Sequence, residues 1–487
     1  MTVLLLANVG NRDLVLNDAS RLPEREDSRW WLSVRRLGQE LSDNLSRYND
    51  ALELPLLGPT LEWLQTENGR DLSTASLVLF ASNQPEQYTQ REEWLKDTLP
   101  LAEAMRELIA QRYAIPKRKI YIRAIEGSPA DYANMLTYYL RELPDIAQYV
   151  ADNTQVYLEV SGGTPAMSSM LIVAGVEVFG ENVHTLYIER NSRLPNSIAV
   201  AQQLFARKTR ETLRNQIGLY AYTAALDTVK TSGHLVTTDN RERDLLANLL
   251  RYADRRLAFD FGRARAALRD ALPLTTGHAQ AQISFWQREL DTRSAAANLS
   301  ELIYSAAIKL RLGDYADFVQ RIFRFQEAGF RYLAEEMGLR YTKDDGMFVH
   351  SGWLDSQPAL GKYLDVYTDR QTGRSTTVDV RRSLNRYSLG AIVDYFIEHD
   401  PDWAAFESTV ERLHAFSGVA ELRNKGLAGH GFNGIGVEDV KEKYGAPPDE
   451  MLDALKTIYH GLFDKPPGED PYHAVNELLV EIIEASS

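Results

Sequence analysis

Val156-Tyr157-Leu158-Glu159-Val160 runs without a break into Ser161-Gly162-Gly163-Thr164-Pro165-Ala166-Met167. The first part is a short apolar run. The second is a glycine-bearing turn followed by a proline and a long apolar stretch. Together they read as a strand, a tight turn and the start of a helix. Glycine lets backbone N–H groups approach a phosphate with no Cβ in the way. A helix N-terminus adds unpaired donors and a partial positive charge. Proline suits the first helical position, where no N–H is needed. The stretch therefore predicts a strand-to-helix turn able to hold a phosphorylated ligand.

Outward from this turn, the first part of the chain repeats the same alternation. Thr2–Ala7, Leu77–Ala81, Lys119–Ala124, Gln155–Val160 and His184–Ile188 are short runs rich in Val, Leu, Ile and Tyr. Trp30–Leu45, Glu92–Gln111, Ala130–Leu143 and Pro165–Val178 lie between them with helical spacing. Near-continuous apolar strands separated by helices predict a parallel sheet covered on both faces. Ligands of such sheets sit beyond the carboxyl ends of the strands. That rule selects Asn8-Val9-Gly10-Asn11-Arg12-Asp13, Ser82-Asn83-Gln84, Glu126-Gly127-Ser128-Pro129 and Ser161–Met167, all small, polar turns expected on one edge. Neither a G-x-G-x-x-G dinucleotide fingerprint nor a P-loop lysine is present. Each turn alone could be an ordinary tight connection; their convergence favours a ligand site.

From about Phe205 the pattern turns helical, with i, i+3, i+4 apolar spacing in Leu213–Leu226 and Leu245–Phe261. Leu272–Gly277 breaks it, and a further helical region runs from about Gly313 to the end, with loops near Asp344–Gly352 and Thr368–Ser375. The net charge of −14 argues against a bulk electrostatic binder of nucleic acid. Phe205–Arg269 differs: thirteen Lys/Arg face seven Asp/Glu, giving +6 and leaving −20 for the rest. That segment is either a solvated helix face or a channel for a polyanion. The absence of Cys excludes disulfides, thiolate metal sites and Cys nucleophiles. Met1–Ala7 lacks a basic flank and a cleavage site and reads as a strand. Ala166–Phe179 is too short to span a bilayer. A cytoplasmic protein with no membrane partner is expected.

A second stretch carries chemistry: Arg423-Asn424-Lys425-Gly426-Leu427-Ala428-Gly429-His430. Seven positions advance a helix by nearly two turns, which would put Arg423 and His430 on one side. Metal-free RNA cleavage needs a group that takes the 2′-OH proton, a donor to the leaving 5′-oxygen, and positive charge facing the phosphorane. Histidine titrates in the right range for either proton role. The arginine fork matches phosphate oxygens and stays charged. Asn424 could bond the phosphate or fix the histidine tautomer. The bland reading is a surface Arg followed by a His near a helix C-terminus, with Gly429–Gly434 marking the end. Short spacings of this kind recur by chance, so spacing alone leaves both readings open.

The first strand with Asn8–Asp13, and the later strand with Ser161-Gly162-Gly163-Thr164, resemble the CRISPR-associated Rossmann-fold (CARF) domain. Leu422-Arg423-Asn424 through His430, in a helical region opened by Gly313-Asp314-Tyr315-Ala316 and a helix over Phe318–Glu336, resembles the HEPN ribonuclease motif. In order and domain type the chain is similar to the CARF–HEPN ancillary ribonucleases of type III CRISPR systems. The expected fold class is thus α/β plus all-α: a Rossmann-like CARF domain over 1–200, a helical linker domain over 201–310 and an all-helical HEPN domain over 311–487.

The resemblance implies a homodimer whose paired sensor domains bind cyclic oligoadenylate made by a type III CRISPR effector complex. It implies metal-independent cleavage of single-stranded RNA to 2′,3′-cyclic phosphate and 5′-hydroxyl ends, with no metal and no cofactor besides the activator. Arg423 and His430 would be catalytic, with Asn424 assisting. Asn8, Gly10, Asn11, Arg12, Asp13, Ser161, Gly162, Gly163 and Thr164 would line the activator site. Strand-end geometry, not the family, adds Ser82, Gly127 and Ser128. The glycines between Arg423 and His430 depart from a robust helix. Thr164 and Asn11 could support degradation of the activator by the sensor itself. Two alternatives stand beside this reading. One is a non-catalytic nucleotide-sensing regulator that binds RNA or a protein partner. The other is a metabolic nucleotide-processing enzyme with its chemistry near Ser161–Thr164.

Overall fold

Alternation along the first strand settles the architecture of the first part of the chain. Val3, Leu5 and Ala7 belong to one hydrophobic core and Leu4 and Leu6 to a second. A strand buried on both faces must lie inside a sheet with helices above and below it. The computed structural model describes residues 2–485 apart from 26, 28, 67, 152–153, 190–191, 193, 343–346, 371, 382–383 and 427–431. The chain divides into two compact units, residues 1–208 and 209–487.

The first unit is built on a six-stranded sheet. Its strands are β1 (Val3–Asn8), β2 (Ser76–Ser82), β3 (Ile120–Ile125), β4 (Gln155–Glu159), β5 (Val183–Ile188) and β6 (Pro195–Ile198). They are ordered β3-β2-β1-β4-β5-β6, with β6 alone antiparallel to its neighbour. This is the doubly wound arrangement, and the strand order reverses between β1 and β4. The helices Val34–Asp43, Leu57–Thr66 and Leu99–Arg112 cover one face. Tyr132–Ala147 and Pro165–Phe179 cover the other. The expected strands appear within one residue of their predicted ends.

Differences from the sequence reading have local causes. The helix expected from Trp30 starts at Val34, where Ser33 accepts from the Arg36 N–H. The helix expected from Glu92 begins at Leu99, with Thr98 as its cap and Pro100 in its first turn. The Leu57–Thr66 helix and strand β6 carry no periodic signal strong enough to be read.

The second unit is mainly helical. Leu213–Leu226 is not one helix: Val200–Gly218 ends, Tyr220 takes φ 55, and Tyr222–Ser232 begins. Likewise Asn240–Leu257 ends before Phe259, φ 58, and Phe261–Ala271 follows. The left-handed residue at each break is aromatic and not the glycine that usually marks one, and apolar spacing continues across it, so periodicity alone reads through. The C-terminal region is also not wholly helical, since Tyr367–Thr368 and Ser375–Thr376 pair antiparallel. One core joins Leu213–Leu290 residues to the final helix, Pro471–Ala485; a second holds residues between Leu299 and Leu462. The Ala295–Arg311 helix contributes to both.

Six of the thirteen basic residues of 205–269 are engaged by this packing. Arg241 bonds the carbonyls of Leu274 and Pro273, Arg243 that of Thr237, and Arg210 that of Val236. Arg256, 2 % exposed, pairs with Glu301 (2.8 Å) and Glu289 (3.0 Å). Arg265 pairs with Asp291 and Arg214 with Glu484. Among the described residues no helix is long and apolar enough to cross a membrane.

Candidate functional site

The parallel register of β1 to β4 brings the four singled-out turns to one edge. A cleft of about 190 Å³ there is lined by Gly10 and Asn11 from the first, Ser82 and Gln84 from the second, Ser128 and Pro129 from the third, and Gly163 and Thr164 from the fourth. The turns after β1 and β4 touch, as expected where the strand order reverses. A Cβ on Gly10 would stand 2.6 Å from the Gly163 nitrogen. One on Gly162 would stand 2.6 and 2.7 Å from the two carboxylate oxygens of Asp13, and closer still to the Asn8 carbonyl. Gly163 adopts φ +82, open to glycine at no steric cost. Thr164 caps the Pro165–Phe179 helix by accepting from the Met167 N–H (3.2 Å), and its hydroxyl donates to the Pro129 carbonyl. That bond ties the fourth turn to the third.

Six of the twelve expected ligand residues line this cleft: Gly10, Asn11, Ser82, Ser128, Gly163 and Thr164. Four others form a layer behind it. Asn8 is buried, and its Oδ1 accepts from the Tyr139 hydroxyl at 2.6 Å. Asp13 is buried and accepts from the Gly10 N–H at 2.6 Å. Gly162 is buried. Ser161 accepts from the Ile188 N–H at 2.6 Å and donates its own N–H to Glu159. These residues shape the turns. Arg12 is exposed and Gly127 is wedged against the Asn134 amide; neither is among the lining residues.

The layer behind the cleft holds two buried carboxyls. Burial pushes Asp13 well above the usual carboxylate range, and the charge of Glu159 adds to the rise. Burial also raises Glu159, against the lowering effect of its bond from Ser161. Glu159 Oε2 and Asn8 Nδ2 have no hydrogen-bond partner among the described residues.

The sequence reading missed the wall supplied by the segment before the Leu99–Arg112 helix. Asp97, fully buried at its side chain, accepts from the Gln84 N–H (2.8 Å) and pairs with Arg35 (3.0 Å). Thr98 and Ser82 exchange bonds through their hydroxyls and backbone nitrogens. Lys96 is the one cation among the cleft's lining residues, and it pairs with Glu93 at 2.8 Å. No motif marks this segment, which reads from the sequence as part of a helix over Glu92–Gln111. With two helix starts, at Thr98 and Thr164, and a lysine, the cleft is chemically suited to phosphate groups.

In the second unit, Arg423 lies on the helix Ser417–Lys425. Its guanidinium sits over the Phe323 ring at 4.5 Å, and Nη1 donates to Asn424 Oδ1 at 3.1 Å. Phe323 belongs to the Tyr315–Glu336 helix, capped by Asp314. The start of the Arg423 helix is fixed from two sides: Arg386 donates to Ser417 Oγ at 2.6 Å, and so does Gln326 at 3.1 Å. Burial lowers the Arg386 pKa. Gly426 is extended, at φ −82 and ψ 161, so the helical register that would put Arg423 and His430 on one side stops at Lys425. A β-bridge joins Gly426 to Asn433. His430 itself lies outside the described residues. His414 is structural: its Nε2 meets the fully buried Asp394 at 3.0 Å and its ring packs on Phe330.

With this geometry in place, three comparisons bear on it. Residues 287–480 match the family model for the Cas_Csm6 HEPN domain. No curated protein matches the chain. Among solved structures, Enterococcus italicus Csm6 bound to cyclic hexa-2'-fluoro-hexa-dAMP is similar over 99 % of this chain and 100 % of its own, with a TM-score of 0.64 and 13 % sequence identity. Residues 287–480 thus match a HEPN domain of the Csm6 kind, and the chain as a whole shares the fold of a Csm6 protein.

Proposed function

We propose that the chain is an endoribonuclease of type III CRISPR defence, switched on by a cyclic oligoadenylate bound at the four-turn cleft. The observation that carries this reading is the HEPN match, which spans Arg423-Asn424 and His430. The cleft supports the sensor half: four turns, two helix starts and Lys96 converge where a doubly wound sheet takes its ligand. The ligand of the E. italicus protein, a cyclic hexa-adenylate analogue, belongs to the class proposed here. A ring with repeated phosphates suits the two-fold axis of a homodimer, where each turn is used twice. The working domain division is 1–200, 201–310 and 311–487.

In the cleavage step, histidine takes the proton from the ribose 2′-OH. The O2′–P bond forms and the P–O5′ bond breaks, and a second histidine gives its proton to the leaving O5′. A two-fold pair supplies two copies of His430 for these two roles. Arg423 faces the charge that develops on the phosphorane, and Asn424 holds the guanidinium at 3.1 Å. The products are a 2′,3′-cyclic phosphate and a 5′-hydroxyl, with no metal called for.

The test is cleavage of a fluorogenic single-stranded RNA in EDTA, with cyclic tri-, tetra- and hexa-adenylate added separately, followed by end-group analysis. One ring should switch on cleavage with cyclic-phosphate ends. Binding of a ring without cleavage would favour a non-catalytic regulator, and a strict need for divalent metal would overturn the acid–base chemistry.

A further inference from the structure

A second cleft, of about 300 Å³, lies within the helical unit and includes Phe259, Phe261, Arg293, Arg324, Glu327 and Arg331 in its lining. Phe259 sets its character. At the end of the Asn240–Leu257 helix, the Phe259 N–H bonds the Arg256 carbonyl (2.9 Å) and the Asp260 N–H bonds that of Arg255 (2.8 Å). Phe259 takes φ 58, the left-handed position where helices commonly end on glycine. A bulky residue there is a strained outlier. Core packing does not account for it, because Phe259 belongs to none of the buried clusters among the described residues. Its ring lies 6.0 Å from Phe261 and 5.4 Å from the Arg321 guanidinium.

Arg293 sits over the Phe261 ring at 3.3 Å. Its carboxylate neighbour, Glu301, is 3.9 Å away and already held by Arg256 (2.8 Å) and Tyr472 (2.6 Å). Arg324 and Arg331 share Glu327, at 3.3 and 3.9 Å. Arg324 keeps 63 % of its side chain exposed. The wall thus carries two phenyl rings and three guanidiniums, of which Arg324 is the most exposed and Arg293 and Arg331 are largely covered, in a chain whose net charge is −14.

The cleft also adjoins the seat of Arg423. Arg324 follows Phe323 on the Tyr315–Glu336 helix, and Glu327 lies about one turn, roughly 5.4 Å, further on. We propose that this cleft binds a nucleotide of the single-stranded RNA substrate flanking the cut. The base rests against Phe259 and the Phe261–Arg293 stack, and the phosphate lies on Arg324 and Arg331. The inference rests on the ribonuclease reading of Arg423. Aromatic rings and guanidinium planes are the surfaces on which unstacked RNA bases are held. The guanidinium fork suits phosphate oxygens. A paired duplex keeps its bases stacked away from such a platform.

The experiment uses the full chain carrying His430→Ala, so that RNA stays intact, with activator present. Fluorescence anisotropy of a labelled single-stranded RNA is measured across a salt series. In this background Phe259→Gly removes the ring and relieves the strained φ, so the melting temperature holds or rises while RNA affinity falls by about fivefold or more. Arg324→Gln should reduce the magnitude of the log-affinity versus log-salt slope by about 0.7, the value for one lost phosphate contact on a single strand. Arg324→Lys should restore it. Unchanged affinity in Phe259→Gly together with an unchanged slope in Arg324→Gln overturns the cleft while leaving the ribonuclease reading in place. Equal affinity for duplex RNA likewise overturns the cleft. Failure of the parent His430→Ala chain to bind RNA at all overturns both.

Discussion

Gly162→Ala tests the contact between the β1 and β4 turns that builds the activator cleft. The new Cβ would stand 2.6 and 2.7 Å from the Asp13 carboxylate oxygens, where real Cβ atoms keep outside about 3.0 Å. None of its neighbours is the free end of a flexible side chain. Asp13 is buried and fixed by the Gly10 N–H, and the Asn8 carbonyl is backbone at the end of β1. The turns must separate by several tenths of an ångström, and overpacking of this kind costs about 1–3 kcal/mol. For a unit of 208 residues that is a fall of about 2–12 °C in melting temperature. Separation of the turns also widens the cleft, so the activator concentration for half-maximal RNA cleavage should rise. Thermal unfolding followed by circular dichroism, with an activator titration of cleavage, reads both effects. A variant that melts within 1 °C of the parent, the scale of well under 1 kcal/mol, and responds to the same activator concentration would refute the close packing of these turns.

Three further outcomes follow from the buried charges and from the Arg423 seat. Asp13 is raised by burial, so in the native state it stays protonated as pH climbs past the unfolded carboxyl value of about 4. Its contribution to stability is therefore full below that value and is lost as pH rises toward the native one; Asp13→Asn, which keeps an acceptor for Gly10, should flatten that slope and melt higher at neutral pH, measured as melting temperature against pH. Asp394 accepts from Tyr367 (2.7 Å) and pairs with His414 and Arg370 (both 3.0 Å), so Asp394→Ala should lose about 3–5 kcal/mol of stability of the helical unit in urea unfolding. Phe323→Ala removes the ring under Arg423; losing about 0.5–1 kcal/mol of cation–π interaction should lower kcat two- to fivefold in single-turnover cleavage.

The sheet was legible because its inner strands β1, β2 and β4 are apolar on both faces and the turns carry small polar residues, features local to each segment. The residues that meet across β1 and β4 were legible for the same reason, once strand order is taken from the doubly wound rule. What the sequence does not display is direction. Asn8, Asp13 and Ser161 read as ligand residues, yet each side chain turns inward to Tyr139, Gly10 or Ile188. Asp97 and Lys96 reach the cleft from a stretch that reads as the interior of a helix, and Asp97 is held there by Arg35 some sixty positions earlier. In the helical unit, the breaks at Tyr220 and Phe259 escaped because aromatic residues occupy left-handed positions that usually announce themselves as glycine. The end of the Arg423 helix at Lys425 was announced by Gly426, which makes a bridge to Asn433 that no helical count contains.

The most direct test of the central claim compares the parent chain with His430→Ala for two properties: binding of cyclic oligoadenylate by calorimetry, and activator-dependent cleavage of single-stranded RNA in EDTA. The account predicts equal activator binding and cleavage abolished in the variant. Cleavage at the parental rate in His430→Ala would contradict it.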